Sequence, residues 1–280
     1  MTTAFVILHH KTLDVTIQCL ESLLKVASDS PIVVVDNGSC DGSGEEVRRI
    51  FGNKVVVIIS DNNLGFARGN NLGFNYVKQH YSVDCVVVMN NDVIITQPDL
   101  GECLVGYMKE NGVDVCGPDV LTPEGRHQNP LQQESFSTFR IVKWMVMDWL
   151  RLMALRLHLF ERQILATYIT VGNSYQKQDV DLTNITDCVL HGSCVAYSSN
   201  YLSKEDFAFV PVTFLYAEEM LLADYCKRKK YCTGVCYTAR VTHLGGKTIM
   251  HGALPREKLI FRISQVLRSL WQLLKFRLLG

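Results

Sequence analysis

The first 120 residues alternate short apolar runs with segments of helical periodicity, and this alternation constrains the fold more than any other feature. Four runs have the length and β-branched composition of buried strands: Ala4–Leu8, Ile32–Val35, Val55–Ile59 and Cys85–Met89. Helical periods separate them, as in the recurrence of leucine and isoleucine from Leu13 to Leu24. Strands that alternate with helices predict an α/β fold, with a mostly parallel sheet flanked by helices.

Charge and cysteine content exclude several classes of protein. Lys and Arg total 28 and Asp and Glu total 28, so no global basic field favours nucleic acid as a partner. The ten cysteines show no Cys-x-x-Cys spacing and lie mostly in apolar runs, which indicates reduced thiols in a cytosolic protein and disfavours a zinc site. The sequence has no convincing signal peptide and no membrane-spanning run.

The pattern changes after Gly117-Pro118, where a polar, turn-rich stretch follows. We therefore predict a first half over residues 1–120, a second half over residues 121–250 and a C-terminal amphipathic helix over residues 251–280. Within the second half, Ser193–Tyr197 is typical of a strand. Ala217–Lys229 is typical of a helix, because acids occupy its first turn and bases its last.

Polar residues follow each of the four predicted strands. They are His9-His10, Asp36-Asn37-Gly38, Asp61-Asn62-Asn63 and Asn90-Asn91-Asp92. In an open α/β sheet, ligands bind beyond the carboxyl ends of the strands. Asp92 is the clearest functional candidate, since it lies between two apolar runs where a carboxylate needs a partner. Asp and Asn also form turns, which is the structural alternative for the others.

A loop with two glycines, an arginine and several amides precedes the third predicted helix, over residues 63–71. Such a loop can approach a phosphate or a sugar closely. No Gly-x-Gly-x-x-Gly follows any predicted strand, which disfavours a dinucleotide-dependent oxidoreductase.

Four motifs in order resemble the inverting family 2 glycosyltransferases of bacterial polysaccharide assembly, of the rhamnosyltransferase-like type. They are Val33–Ser39, Asn63–Asn71, Met89–Asp92 and Phe214–Glu219. The resemblance covers residues 3 to about 248. It implies a GT-A fold with a donor half, an acceptor half, a nucleoside diphosphate sugar as donor and a divalent cation, Mn²⁺ or Mg²⁺.

The resemblance also implies roles for individual residues. Glu219 stands where the family usually has the aspartate that acts as catalytic base, and Asp92 and His243 match the residues that hold the metal. The expected donor-binding residues are His9, Asp36, Asn37, Gly38, Asn63, Gly65, Arg68, Asn71, Asn91 and Asp92.

The function expected from the resemblance is transfer of a sugar, with inversion, from a UDP- or dTDP-linked donor. The acceptor would be a hydroxyl of a glycan or of a lipid-linked saccharide in surface polysaccharide synthesis. Two alternatives stay open at this point: a sugar nucleotidyltransferase, and a non-catalytic protein that binds sugar nucleotides.

Two apolar, basic segments lie in the second half of the chain. Residues 256–280 carry six basic side chains against Glu257, with leucine and isoleucine recurring at helical spacing. This pattern predicts a helix at the inner face of the cell membrane, although docking on the domain or on a second copy in a homodimer is the alternative. Residues 140–162 are similar, and we expect a second interfacial element or a lid over the acceptor site.

Overall fold

The computed structural model describes residues 2–161, 163–164, 185–245 and 255–279. Within them, eight strands form one sheet in the order β3-β2-β1-β4-β7-β6-β8-β5. The strands are β1 (Thr3–His9), β2 (Ile32–Asp36), β3 (Val56–Ile59), β4 (Cys85–Asn90), β5 (Val93–Ile94), β6 (Val115–Leu121), β7 (Cys194–Ser198) and β8 (Thr233–His243).

Helices cover both faces of this sheet. They are α1 (Leu13–Val26), α2 (Ser43–Phe51), α3 (Phe66–His80), α4 (Leu100–Asn111), α5 (Thr138–Arg156), α6 (Ser199–Lys204), α7 (Glu218–Lys229) and α8 (Pro255–Leu279), with a 3₁₀ turn at Gly52–Lys54. One apolar core joins the sheet to α1, α2 and α4. A second joins the opposite face to α3, α6 and α7. The predicted α/β fold with a mostly parallel sheet is confirmed.

The alternation of side chains along the strands explains the two cores. Phe5 and Ile7 of β1 point to the first core, and Ala4 and Val6 point to the second. Both sets are buried, so the strand has a continuous apolar run rather than a polar face. The four strands predicted in the first half are therefore found with boundaries that differ by one residue at most at either end.

The parallel strands β1 to β4 end at the same edge of the sheet. His9 is paired with Asp36, and Leu8 is paired with Asn90. β7 runs antiparallel to both of its neighbours, β4 and β6, so it starts where β4 ends. The residues that precede β7 therefore lie beside the residues that follow β4.

Three strands, β5, β6 and β8, are not found by sequence reasoning. Gly117-Pro118 suggested a break, yet both residues lie inside β6. A register shift between Pro118 and Asp119 accommodates three additional residues of β8 between the partners Cys236 and Arg240. This irregularity lets the sheet tolerate a proline, which has no amide proton to donate.

The predicted division near residue 120 falls at the end of β6, which pairs with β7 and β8 of the second half. Strands from both sides of residue 120 thus belong to one sheet. The boundary at residues 250 and 251 lies outside the described residues, and the three-part division stays a prediction.

The two amphipathic segments form α5 and α8, which pack against each other. Arg256, at the start of α8, donates to the carbonyl of Leu155 near the end of α5. Arg277, near the end of α8, donates to the carbonyl of Phe136 just before α5. The helices are therefore antiparallel. In the part of the chain that the structure describes, no helix is long and apolar enough to cross a membrane.

Candidate functional site at the strand ends

His9 and Asn91 lie at the ends of the central strands and bind the same hydroxyl. Nδ1 of His9 is 2.7 Å from Oγ1 of Thr16, and its Nε2 is 2.7 Å from Oγ of Ser43. The amide nitrogen of Asn91 donates to Oγ1 of Thr16 and of Thr12, each at 2.8 Å. Burial lowers the pKa of His9. Both side chains thus tie β1 and β4 to α1, and donor contact by either stays a prediction.

Asn37 connects the end of β2 to the loop before α3. Its amide nitrogen donates to Oδ1 of Asn63 at 3.2 Å and to the carbonyl of Gly65 at 3.1 Å. Its Oδ1 accepts from the backbone N–H of Leu64 at 2.9 Å. Gly38 has φ +68°, and a Cβ there would lie 2.2 Å from the backbone of Asn62. Glycine at 38 therefore allows the two turns to touch.

Asp36 is the buried acid at the end of β2. It is 2% exposed, and Oδ1 accepts from the backbone N–H of Ser39 at 2.9 Å. Its Oδ2 faces the first turn of α2, where a Cβ on Gly44 would lie only 2.3 Å away. A carboxylate is stabilised in this position by the positive end of a helix. Contact of Asp36 with a nucleotide base stays a prediction.

Arg68 and Asn71 lie in α3 and differ in what they bind. Arg68 is exposed, and its Nε donates to the carbonyl of Pro211 at 3.2 Å. Asn71 is buried; Oδ1 accepts from the N–H groups of Ala208 and Phe209, and its amide donates to the carbonyl of Phe209 at 2.7 Å. Asn71 thus anchors the segment that precedes α7, and its contact with the donor stays a prediction.

Asp92 and His243 are brought together by β4, β5 and β8. Oδ1 of Asp92 lies 3.3 Å from Nε2 of His243. The side chain of Asp92 is buried, and this Oδ1 has no hydrogen-bond partner. Nδ1 of His243 is 2.9 Å from Oε1 of Gln128, an acceptor, so Nδ1 carries the proton. In neutral His243, the lone pair of Nε2 therefore faces a carboxylate oxygen.

Two lone pairs that face each other in a buried site require a positive charge between them or a proton on one of them. Carboxylate oxygen and neutral imidazole are both ligands of Mn²⁺, and carboxylate oxygen is a ligand of Mg²⁺. The pair thus fits a divalent cation. Among the described residues, no group of three or more His, Cys, Asp and Glu side chains could hold a metal ion by itself. Substrate oxygens or water would complete the coordination.

His191 is a component of this cluster for which the sequence suggested no role. Its ring centroid lies 5.3 Å from that of His243, in an edge-to-face arrangement. Nδ1 accepts from the backbone N–H of Ser193 at 3.2 Å, and burial lowers the pKa of His191 to about 3. The carbonyl of Ser193 accepts from the N–H of Asn90, which fixes this loop at the end of β4.

Glu218 and Glu219 begin α7 and point to different surroundings. Glu219 accepts a hydrogen bond from the N–H of Gly192, and a Cβ at 192 would lie 2.8 Å from its Oε1. Because Gly192 directly follows His191 in the chain, Glu219 faces the cluster of Asp92, His191 and His243. Glu218 is 3% exposed, and its Oε1 has no hydrogen-bond partner.

The positive end of α7 favours an ionised carboxylate at Glu219, and burial opposes this. Burial raises the pKa of Glu219, and burial together with the charge of Glu219 raises the pKa of Glu218 to about 8. For both carboxyls, the effect of desolvation on the pKa is thus larger than that of the helix N-terminus. A raised pKa makes the carboxylate of Glu219 a stronger base.

Comparison with known proteins identifies the family. A model of the family described as "Glycosyl transferase family 2" matches residues 4–203. The chain belongs to this family. It is 29% identical to glycosyltransferase GlyG of Streptococcus pneumoniae over 102 residues, which cover 35% of this chain and 32% of GlyG.

A second relative matches over more of its length. The chain is 24% identical over 220 residues to the low-salt glycan biosynthesis hexosyltransferase Agl10 of Haloferax volcanii, with coverage of 78% of this chain and 60% of Agl10. The chain thus spans less than two thirds of either relative.

Solved structures agree on the fold. The mannosyltransferase PcManGT of Pyrobaculum calidifontis, in complex with GDP-Man and Mn²⁺, has a TM-score of 0.55 at 14% identity, with 95% of this chain and 69% of that chain covered. S. aureus TarS 1–349 in complex with UDP has a TM-score of 0.53 at 13% identity, with 95% and 64% covered. The GT-A fold implied by the sequence motifs is confirmed.

Proposed function

We propose that this family 2 glycosyltransferase moves a sugar, with inversion, from a nucleoside diphosphate sugar to a hydroxyl of a glycan or lipid-linked saccharide. UDP- and dTDP-linked sugars are the donors expected from the sequence, and surface polysaccharide synthesis is the expected pathway. The observation that carries the proposal is the buried Asp92–His243 pair, in which an unpartnered carboxylate oxygen faces an imidazole nitrogen at 3.3 Å.

The relatives support a donor of this class. One solved neighbour is a mannosyltransferase with GDP-Man and Mn²⁺ bound, and another was solved with UDP. Agl10 is a hexosyltransferase by name. These ligands belong to those proteins, and the base and the sugar that this chain prefers have to be measured. Membership of the transferase family disfavours the sugar nucleotidyltransferase alternative.

Asp92 and His243 would hold the divalent cation at the end of β4. When bound, the cation would neutralise the charge that develops on the leaving diphosphate. Gln128 would orient His243 through Nδ1, so that Nε2 stays available as a ligand. Asn91 and His9 contribute indirectly, because their bonds to Thr16 fix the backbone on which Asp92 is carried.

Glu219 is the base of the proposed reaction. Its carboxylate takes the proton of the acceptor hydroxyl, and the acceptor oxygen forms a bond to the anomeric carbon from the side opposite the diphosphate. The bond between the anomeric carbon and the diphosphate oxygen breaks, and its electron pair leaves with the nucleoside diphosphate. One displacement of this kind inverts the anomeric centre, and one carboxylate is sufficient as base.

A donor screen followed by a transfer assay tests the proposal. UDP-, dTDP- and GDP-sugars are added to the full chain with Mn²⁺, and a specific donor is expected to raise the Tm by mass action. Asp92→Asn or EDTA should abolish this shift and lower transfer by about 10²-fold or more. Asp61→Asn removes an exposed carboxylate beyond β3 and is the matched control.

Two results would contradict the proposal. Full activity of both Asp92→Asn and the EDTA-treated protein would contradict a role for the metal. A product with retained anomeric configuration by NMR would contradict direct displacement. Donor binding without turnover on any hydroxyl acceptor would favour the alternative of a non-catalytic protein that binds sugar nucleotides.

A further inference from the structure

The surface of α5 that faces away from the protein is apolar. We call it the outer face of α5 and define it by Phe139, Val142, Val146, Trp149, Leu150 and Leu157. Phe139 is 80% exposed, Trp149 is 54% exposed and Leu157, just past the helix, is 68% exposed. These positions recur at spacings of three, four and seven residues, so they form one stripe. Contiguous exposed apolar patches of this kind mark interaction sites.

The opposite side of α5 is also occupied by apolar residues, and this side is buried. Ile141 contacts residues of α7 and α8, and Leu152 and Leu155 contact Leu259 and Ile263 of α8. The helix is thus anchored by one side, while none of the described residues covers the outer face. Burial against the described part of the chain therefore does not explain the apolar residues of the outer face.

The charges of α5 are distributed asymmetrically. The helix contains four basic residues, Arg140, Lys143, Arg151 and Arg156, and a single acid, Asp148. Asp148 is buried and pairs with Arg151 at 2.9 Å. Arg140, Lys143 and Arg156 are exposed and border the outer face at helical spacing. The exposed surface of α5 is therefore apolar and positively charged.

We propose that the outer face of α5 rests on an anionic lipid surface. Trp149, Leu150 and Val146 enter the boundary between headgroups and acyl chains, and Lys143 and Arg156 contact the negative headgroups. The helix lies on the membrane, in keeping with the absence of a spanning helix in the described residues. The proposal concerns where the protein is held, and it does not depend on the transfer reaction.

A second copy of this chain is a weaker explanation of the same face. In a twofold-symmetric dimer, the outer face would meet itself, because such interfaces are self-complementary. Lys143 and Arg156 of the two copies would then approach each other, and like charges at an interface are unfavourable. An anionic lipid surface complements both the apolar stripe and its basic border.

The location on α5 differs from the sequence-based expectation for residues 256–280. The apolar stripe of α8 is used inside the protein: Leu270 is 3% exposed and Leu273 is fully buried. Trp271, which is 47% exposed, lies on the solvent side of α8 and is comparable with Trp149 of α5. The two tryptophans therefore allow a matched test of which helix binds lipid.

Sedimentation of the full chain with vesicles tests the proposal. Vesicles of phosphatidylcholine with phosphatidylglycerol should bind the protein, whereas pure phosphatidylcholine vesicles and high salt should reduce binding. Trp149→Ser combined with Leu150→Ser should weaken binding by about tenfold or more, because two apolar side chains no longer enter the boundary. Lys143→Gln should weaken it by about fivefold. Trp271→Ser should leave it unchanged.

Three results would overturn the proposal. The first is equal sedimentation of the wild-type protein with both vesicle types, or with neither. The second is weaker binding of Trp271→Ser with unchanged binding of the α5 variant. The third is a dimer in analytical ultracentrifugation that the α5 variant disrupts. Donor-induced thermal shift, measured without vesicles, reports separately on folding and on the proposed function.

Discussion

Asn91 and Asp92 are adjacent in the chain, but they belong to two regions of the strand-end site that differ in how well the protein satisfies their polar atoms. Like Asn91, the side chains of His9, Asn37 and Asn71 have polar atoms engaged by the protein itself. By contrast, Oδ1 of Asp92 is buried without a hydrogen-bond partner, and so is Oε1 of Glu218 at the start of α7. Buried polar groups are normally satisfied, so unsatisfied ones indicate a ligand or a chemical role.

This comparison distinguishes side chains that hold the structure from side chains that are available for catalysis or binding. Position at a strand end alone does not distinguish them. We call the first group the amide network (His9, Asn37, Asn71 and Asn91) and the second the acid–histidine cluster (Asp92, His191, His243 and Glu219). Variants of the amide network should lower stability. Variants of the acid–histidine cluster should lower activity and preserve the fold, and the predictions below test this difference.

The largest effect is expected for Glu219→Gln. Loss of a positioned base lowers kcat by about 10²–10⁴-fold and leaves donor affinity unchanged. Glu218→Gln is the matched control, because adjacent helical residues point about 100° apart and only Glu219 faces Gly192. The measurement is kcat and donor affinity of both variants, with folding checked by circular dichroism. If Glu218→Gln is inactive and Glu219→Gln is active within a few-fold, Glu218 is the base.

A smaller effect, on stability, is expected for Asn71→Ala. The change leaves two backbone N–H groups and one carbonyl of residues 208–209 without partners, so the free energy of unfolding should fall by about 3 kcal/mol. Asn75→Ala, at a partly exposed position of the same helix, is the control and should change it little. Urea denaturation measures both. An unaltered midpoint for Asn71→Ala would show that water replaces these bonds and that Asn71 is free to contact a donor.

Strands β1 to β4 could be predicted because local pattern and burial agree there. Runs such as Val33-Val34-Val35 are apolar on both faces, and the helices between them require parallel pairing. By contrast, β6 contains Pro118, and β8 contains three residues outside the regular register. Such strands are held by long-range pairing, and a local pattern does not reveal it.

The acid–histidine cluster could be predicted only where a motif marked it. The resemblance predicted roles for Asp92, Glu219 and His243, and Asp92 was also a candidate from its place between two apolar runs. His191 was not predicted, because its place depends on the antiparallel direction of β7. Likewise, α5 and α8 show the same apolar, basic pattern, and only packing reveals that α8 buries its stripe while α5 exposes one. Periodicity indicates that a face is apolar, and it does not identify what covers that face.

The smallest effect is expected for Glu218→Gln, and it depends on pH. Burial and Glu219 raise the pKa of Glu218 from 4.5 to about 8 in the folded protein, so between these values the folded state holds a proton that the unfolded state releases. Stability of the wild type therefore falls as the pH rises through this window, and glutamine, which resembles the protonated acid, does not follow it. Glu218→Gln should have a higher Tm than the wild type near pH 8, and the difference should vanish near pH 4.5. Glu102→Gln, an exposed acid in the first turn of α4, controls for the loss of a charge at a helix N-terminus. A stability difference that is constant across the window would show that Glu218 is ionised in the folded protein, and Glu218 would then belong with the satisfied side chains of the amide network.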